Sequence, residues 1–366
     1  MLKVCIIGCG MIAESAHIPA YKSFPEDYTV TAIFDVCEEK AKALADKVGC
    51  KYYTDADKML DVEKPDVVSV CVPNCFHKEY TMKALHGGAS VICEKPLAVK
   101  YSDACEMFDT AEKQGKVLMA CQSMRFTSDR AAAKKYMTEN PIGSIYYAEF
   151  SRIRKRGIPF WGNFHKQSFS LGGAMCDIGV HMLDALVWLM GDVKIRSVSG
   201  TVGQNHKNEI SDAESSGAFL GNVASAKSFC PDEMDVEDFA SGSICLENGG
   251  RIGFKTAWAA NIPDCTEMKI VGTEYGIDLP SLDITAKDNG KKLNPTAEDV
   301  FADNPFGGHR VIIDNMRRVL HGKAQPIVSA EETKTVSAIL EMFYLSAKEG
   351  REVLFDEITN NGGTGK

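Results

Sequence analysis

The sequence predicts an α/β chain in two parts: a doubly wound parallel sheet, then an α/β domain built on a mainly antiparallel sheet. Three observations carry that expectation. Over residues 1–123, short apolar runs alternate with amphipathic helical stretches. The runs are apolar throughout, as in a parallel sheet covered on both faces. The first of them opens into Gly8-Cys9-Gly10-Met11-Ile12-Ala13, a glycine-rich strand-to-helix turn. After Pro141 and Gly143 the runs lengthen and partly alternate, with Gly or Asn turns such as Asn248-Gly249-Gly250 between them.

In order, the parallel strands are expected at 3–8, 29–34, 66–72, 90–93 and 117–121, with helical periodicity over 37–48, 75–86 and 102–114. Antiparallel strands are expected at 145–153, 194–202, 215–220, 239–247 and 251–259, fronted by an apolar helix over 175–190. Two late helices, 309–320 and 330–348, finish the fold. Residues 203–238 and 286–306 read as surface loops, and the Gly-rich stretch 360–366 as a flexible tail. The domains are therefore expected at 1–123 and 124–359.

Composition narrows the class. The 366 residues are 45% hydrophobic and 25% charged, ordinary for a globular protein with a substantial core. A net charge of −9, without a basic patch interleaved with aromatics, argues against nucleic acid as a partner. The thirteen cysteines include no CxxC pair and no Cys/His cluster at zinc spacing, so no metal site is expected. So many scattered thiols suit a reducing cytoplasm. The chain enters a strand directly, without the charged and apolar regions of a signal peptide. No apolar run reaches the ~18–20 residues that cross a bilayer.

The glycine turn has a physical use. Gly8 and Gly10 permit a tight turn and close approach of a pyrophosphate to backbone amides at a helix start, beside Met11 and Ile12. Asp35 ends the second strand, 25 residues after Gly10, where a carboxylate binds adenosine ribose hydroxyls and repels a 2′-phosphate. Val36 and Cys37 follow where a phosphate-binding Arg or Ser would stand. NAD is thus expected rather than NADP. Asp35 also suits a helix cap, and the two roles are compatible.

Ligands of such sheets bind beyond the carboxyl ends of the strands. One end carries Pro73-Asn74 with His77 a turn later, another Glu94-Lys95-Pro96, and a third Gln122. Lys95 follows a buried strand and precedes a proline that biases it to extended geometry, so it is expected to face the nicotinamide. Asn74, Glu94 and Gln122 join the candidate cofactor contacts. His77 reads either as a contact or as a solvated first-turn residue.

The apolar helix 175–190 carries Asp177, His181 and Asp184 at i, i+4 and i+7, within a stripe roughly 60° wide. Polar groups on a buried helix are costly unless paired or used in chemistry.

Together these pieces resemble the Gfo/Idh/MocA oxidoreductases, the glucose–fructose oxidoreductase and inositol dehydrogenase family. The resemblance rests on Gly8-Cys9-Gly10-Met11-Ile12-Ala13, Pro73-Asn74 with His77, Glu94-Lys95-Pro96-Leu97-Ala98, and Gly172-Gly173-Ala174-Met175-Cys176-Asp177-Ile178-Gly179-Val180-His181-Met182-Leu183-Asp184. It covers nearly the whole chain. It implies a Rossmann domain followed by a large open sheet that commonly makes homo-oligomers, dimers or tetramers and sometimes larger. It also implies that Lys95, Asp177 and His181 surround a sugar or cyclitol hydroxyl above the nicotinamide.

The residue types suit oxidation of a secondary alcohol. Histidine, with an unperturbed pKa of ~6.5, is a suitable base near neutrality, and His181 is the expected one. Lys95 would hydrogen-bond the same oxygen and stabilise alkoxide charge. Asp177 would hold substrate hydroxyls and tune the imidazole. Asp184 is left between ligand binding and a structural role. The stretch Arg152-Ile153-Arg154-Lys155-Arg156-Gly157-Ile158-Pro159-Phe160-Trp161-Gly162 resembles a loop that borders nicotinamide and substrate in a subset of the family. Trp161 is expected beside the cofactor and Arg154 beside ligand hydroxyls.

The same loop and the cysteine-rich composition resemble gut-bacterial glycoside 3-oxidoreductases, including those acting on C-glucosides such as puerarin. The expected reaction is NAD-dependent oxidation of the C3 hydroxyl of a glucosyl group in a C- or O-glycoside, giving a 3-keto glycoside. A myo-inositol 2-dehydrogenase or other free-sugar dehydrogenase is the alternative. An NAD-using glycosidase would need an eliminating base that no motif marks, and a non-catalytic sugar sensor usually lacks the Lys or His that stand here.

Overall fold

A computed structural model describes residues 1–159, 162–208, 230–287, 290–294 and 306–359. It divides into two compact units. The first comprises Met1–Ala98, Asp103–Phe126 and the described part of 301–334; the second takes Val99–Ser102 and the described residues elsewhere.

The first unit is a six-stranded parallel sheet of β1 (Leu2–Ile7), β2 (Tyr28–Phe34), β3 (Lys51–Tyr53), β4 (Val67–Val70), β5 (Ser90–Cys93) and β6 (Leu118–Ala120). Their spatial order is β3-β2-β1-β4-β5-β6, the doubly wound arrangement expected from sequence. Val4, Cys5, Ile6 and Ile7 are all buried because helices cover both faces. Helices Ala56–Glu63 and His77–His86 pack on one side, Ile18–Lys22 and Gly307–Leu320 on the other. The short β3 and helix Ala56–Glu63 escaped the sequence reading, since β3 is a three-residue edge strand with little apolar signal.

Sequence placed a single domain boundary after residue 123, whereas the compact division returns 306–334 to the first unit. The reason is packing: Ile312, Ile313 and Met316 fill the core beside Ile6 and Tyr21, and Val328 joins Val91 and Leu97. Tyr28 also donates its hydroxyl to the Ile313 carbonyl at 2.9 Å.

The second unit holds a nine-stranded sheet. Its strands are β7 (Ile145–Ile153), β8 (Ile195–Gly203), β9 (Phe239–Leu246), β10 (Arg251–Ala257), β11 (Cys265–Gly272), β12 (Tyr275–Leu279), β13 (Asp283–Ala286), β14 (Lys291–Lys292) and β15 (Val353–Leu354). Neighbours run β14-β13-β12-β11-β7-β10-β9-β8-β15, antiparallel except where β7 pairs parallel with β10. Strands β11–β15 were not anticipated, and β14 lies inside the expected loop 286–306. The expected strand 215–220 lies outside the described residues, as do Phe160 and Trp161, most of the two loops and the tail.

One sheet face is apolar. Ala148, Phe150, Ile252, Phe254 and Ile270 pack against Leu183, Leu186 and Val187 of the helix Val180–Met190. The helical stretch Gln167–Met190 has the length and mean composition of a membrane span, but 78% of its most apolar window is buried, as in a core helix. It is the core helix of this sheet. Residues 231–238, expected on a surface loop, instead bury Met234, Val236, Glu237 and Asp238.

Candidate active site

The nucleotide turn of the first unit has the geometry its glycines suggested. Gly8 adopts φ +102°, and a Cβ there would lie 2.4 Å from the Cys71 carbonyl oxygen. Gly10 and Met11 are exposed, Ile12 half-buried, and the Gly8 amide donates to the Phe34 carbonyl at 2.8 Å. Asp35 accepts from the Cys9 amide through Oδ2 and from the Cys37 amide through Oδ1, each at 2.9 Å. Its carboxylate is thereby fixed between the glycine turn and the residue that begins the next helix. Gly8→Ala is expected to weaken NAD binding at least tenfold and to destabilise the fold by about 1–3 kcal/mol. A cofactor titration and a thermal melt would measure both.

The ends of β4 and β5 are tied together by His77. This buried ring places Nδ1 2.8 Å from the Pro96 carbonyl and Nε2 2.9 Å from the Val72 carbonyl. Both nitrogens face backbone carbonyls, and the single N–H of a ring that burial keeps neutral donates to one of them, beside the loops that carry Asn74 and Lys95. Lys95 and Asn74 are half-buried, whereas Glu94 and Gln122 are buried. The Glu94 carboxylate accepts the Lys95 amide at 3.2 Å and two imidazoles, His17 at 2.9 Å and His309 at 3.1 Å.

In the second unit the polar stripe divides. Residues Met175–Gly179 form a π turn before the α-helix Val180–Met190, so the spacing is not that of a uniform α-helix. Asp177 and His181 are half-buried, while Asp184 is buried. The indole of buried Trp258 donates to Asp177 Oδ2 at 2.9 Å. Asp184 acts electrostatically on Arg130, a buried guanidinium whose pKa burial lowers and whose charge Asp129 and Asp184 favour.

Arg152, which the sequence reading passed over for Arg154, shares the covered sheet face with Ala148 and Phe150 by strand alternation. Burial lowers its pKa to about 10, Arg154 and Arg130 act in the same direction, and Asp177 opposes them. It donates to Thr266 at 2.7 Å, while Arg154 donates to the Gly157 carbonyl at 3.3 Å. Asp177, Arg152 and Trp258 therefore form one polar cluster at the end of β7. Trp161 lies outside the described residues.

What holds the helix start is Glu237. Its carboxylate accepts the Gly173 amide at 2.8 Å, the Met175 amide at 3.0 Å and the Tyr344 hydroxyl at 2.8 Å. A Cβ at Gly173 would sit 1.9 Å from the Glu237 carbonyl oxygen, which accounts for glycine there. Glu237 lay hidden in a stretch read as loop. Both carboxylate oxygens accept, so Glu237→Gln would turn an amide donor toward other donors. It is expected to cost about 1–3 kcal/mol by denaturant titration.

Burial pushes the Glu237 pKa up and outweighs its three donors. Folding thus disfavours its charged form. Its contribution is full below the ordinary carboxylate pKa and is lost as pH rises through the raised folded value. The stability gap between wild type and Glu237→Gln should narrow with rising pH.

Residues 2–122 match an oxidoreductase family with an NAD-binding Rossmann fold, and residues 131–278 match the Gfo/Idh/MocA C-terminal domain. The chain belongs to the Gfo/Idh/MocA oxidoreductases. It is 34% identical over 355 residues to the D-glucoside 3-dehydrogenase of Escherichia coli strain K12, covering 96% of this chain and 97% of that protein. Its fold is that of levoglucosan dehydrogenase solved with NADH and levoglucosan, with TM-score 0.76, 21% identity and coverage of 97% and 99%. The WlbA dehydrogenase from Bordetella pertussis, solved with NADH and UDP-GlcNAcA, gives TM-score 0.75, 19% identity and coverage of 96% and 97%. As a family member, the chain is an oxidoreductase whose first domain is an NAD-binding Rossmann domain. The tight Gly8 turn and the pinned Asp35 fit that dinucleotide.

Proposed function

We propose that this oxidoreductase uses NAD to oxidise the C3 hydroxyl of a glucosyl group in an O- or C-glycoside, giving a 3-keto glycoside. The observation that carries the reading is the full-length relationship to the Escherichia coli D-glucoside 3-dehydrogenase. NAD, when bound, supplies the two-electron acceptor. Gly8, Gly10, Met11 and Ile12 would seat its pyrophosphate, Asp35 its adenosine ribose, and Asn74, Glu94, Lys95, Gln122 and Trp161 its nicotinamide half. His77 would serve that half by holding the loops.

His181 is assigned the removal of the C3 hydroxyl proton, because an imidazole is matched to proton transfer near neutrality. Lys95 is assigned a hydrogen bond to the same oxygen, where its ammonium opposes developing negative charge. Asp177, aimed by Trp258, would accept neighbouring hydroxyls, with Arg154 as a further sugar contact. The same reading has the protein work in the cytoplasm, in keeping with thirteen free thiols. It also has the protein work as a homo-oligomer, in keeping with the exposed sheet face that carries Tyr147, Glu149 and Lys255.

The test is to incubate the purified protein and NAD with methyl β-D-glucoside, a C-glucoside and myo-inositol, and to map any ketone by NMR. A 3-ketone on the glucosides supports the reading. An inosose with the glucosides inert overturns it.

A further inference from the structure

The first unit contains a buried polar cluster in which Glu94 of the Glu-Lys-Pro motif meets three residues, His17, Cys121 and His309, to which the proposed chemistry gives no role. His17 follows the nucleotide turn, Glu94 follows β5, Cys121 follows β6, and His309 lies on the helix Gly307–Leu320. All four are buried, and their donor atoms lie within 4.8 Å of one another. The two imidazoles reach the same carboxylate oxygen: Nε2 of His17 at 2.9 Å and Nε2 of His309 at 3.1 Å from Glu94 Oε1. The other oxygen, Oε2, accepts the main-chain amide of Lys95.

The surroundings fix the proton positions. His17 Nδ1 lies 3.0 Å from Ser69 Oγ, which is 2.8 Å from the Tyr21 hydroxyl, so a Tyr21-to-Ser69-to-Nδ1 chain leaves the His17 proton on Nε2. His309 Nδ1 is buried with no hydrogen-bond partner among the described residues, so a proton on Nε2 is the one that finds an acceptor there. Both rings then donate to Glu94. Burial alone would raise the Glu94 pKa, but these two bonds hold it well below the usual carboxylate range. The Cys121 thiol is pushed well above its ordinary range by burial and by the Glu94 charge, and stays protonated.

This donor set also resembles a metal site, but the spacing favours hydrogen bonds. Four-coordinate zinc, with ligand bonds of about 2.0–2.3 Å, holds its donor atoms roughly 3.3–3.7 Å apart. The observed 2.9 and 3.1 Å are lengths of direct N–H···O contacts.

We propose that Glu94, clamped by His17 and His309, is a positioning residue that sets Lys95 through its main-chain amide, making His309 a remote determinant of turnover. Lys95 is bracketed: Glu94 takes its amide, and His77 takes the carbonyl of Pro96. The helix bearing His309 is itself placed by close packing. A Cβ at Gly308 would lie 2.0 Å from the Ser123 carbonyl oxygen, in the turn that follows β6. The His17 and His309 rings meet edge-on at 5.3 Å. A segment more than two hundred residues beyond the Glu-Lys-Pro motif is thereby joined to it.

The proposal rests on the role given to Lys95, so its test has one arm independent of activity. In the full-length protein, His309→Leu is expected to speed hydrogen exchange of the peptide containing Lys95 at least tenfold, with NAD affinity changed less than threefold. Turnover of the glucoside should fall about tenfold with KM changed less than twofold, and His309→Gln, which keeps an N–H donor, should recover to within threefold. In a Lys95→Met background, His309→Leu should change the residual rate less than twofold. Unchanged exchange at Lys95 overturns the proposal, as does a full further loss in the Lys95→Met background. Stoichiometric metal in the wild type that is lost in His309→Leu also overturns it, since Glu94 would then be a ligand. If exchange rises as expected but Lys95→Met itself is fully active, the clamp stands and the role assigned to Lys95 falls.

Discussion

Replacing His181 with alanine is expected to lower kcat by about 10²–10⁴-fold, the usual contribution of a positioned general base. KM for the glycoside should change far less, and NAD affinity should stay within threefold. The expectation follows from where the helix sets this ring. Gly179 lets the helix approach the sheet, since a Cβ there would lie 3.0 Å from Thr256 Cγ2. Glu237 fastens the preceding turn through the Gly173 and Met175 amides. His181 is half-buried on a helix whose core-facing side chains are mostly apolar, so its removal deletes a proton acceptor without emptying the core. Steady-state kinetics with a matched melting curve separates lost chemistry from lost fold. A variant turning over within threefold of wild type would remove His181 from the base role.

Replacing Lys95 with methionine is expected to cost about 10²–10³ in kcat, the range for losing one preorganised donor to a developing oxyanion. Methionine keeps an unbranched stem, so the loss measures the ammonium more than the packing. Its neighbours are anchored independently of the side chain, by Glu94 on the Lys95 amide and by His77 on the Pro96 carbonyl. The fold and the nucleotide turn should therefore persist, with NAD titration and single-turnover kinetics as the two readouts. A large loss of NAD affinity with normal chemistry in the bound state would make Lys95 a cofactor anchor instead.

How much of this was legible in the sequence depended on range. The glycine turn, Asp35 and the parallel strands announce themselves because local backbone needs dictate residue type. At Gly8, positive φ and a carbonyl 2.4 Å from any Cβ leave no alternative to glycine. The 175–190 helix was equally visible from its apolar run. Its π turn was not, because one extra residue per turn leaves no mark on composition. The partners that aim the candidate groups were the larger omission. Trp258 acts on Asp177 from 81 positions away, Glu237 on Gly173 from 64, and His309 on Glu94 from 215. Such pairs are set by tertiary packing, and only a buried polar residue within an apolar stretch hints at them. His17, between Ala16 and Ile18, was one such hint. The small edge strands β3, β14 and β15 escaped because two or three residues carry no periodicity.

Oxidation at C3 of a glucosyl group by NAD can be followed with methyl β-D-glucoside deuterated only at C3. One deuterium is expected in the reduced cofactor per turnover, and none in the 3-keto product. A reduced cofactor free of deuterium, or labelled only from substrate deuterated at C2 or C4, would contradict it.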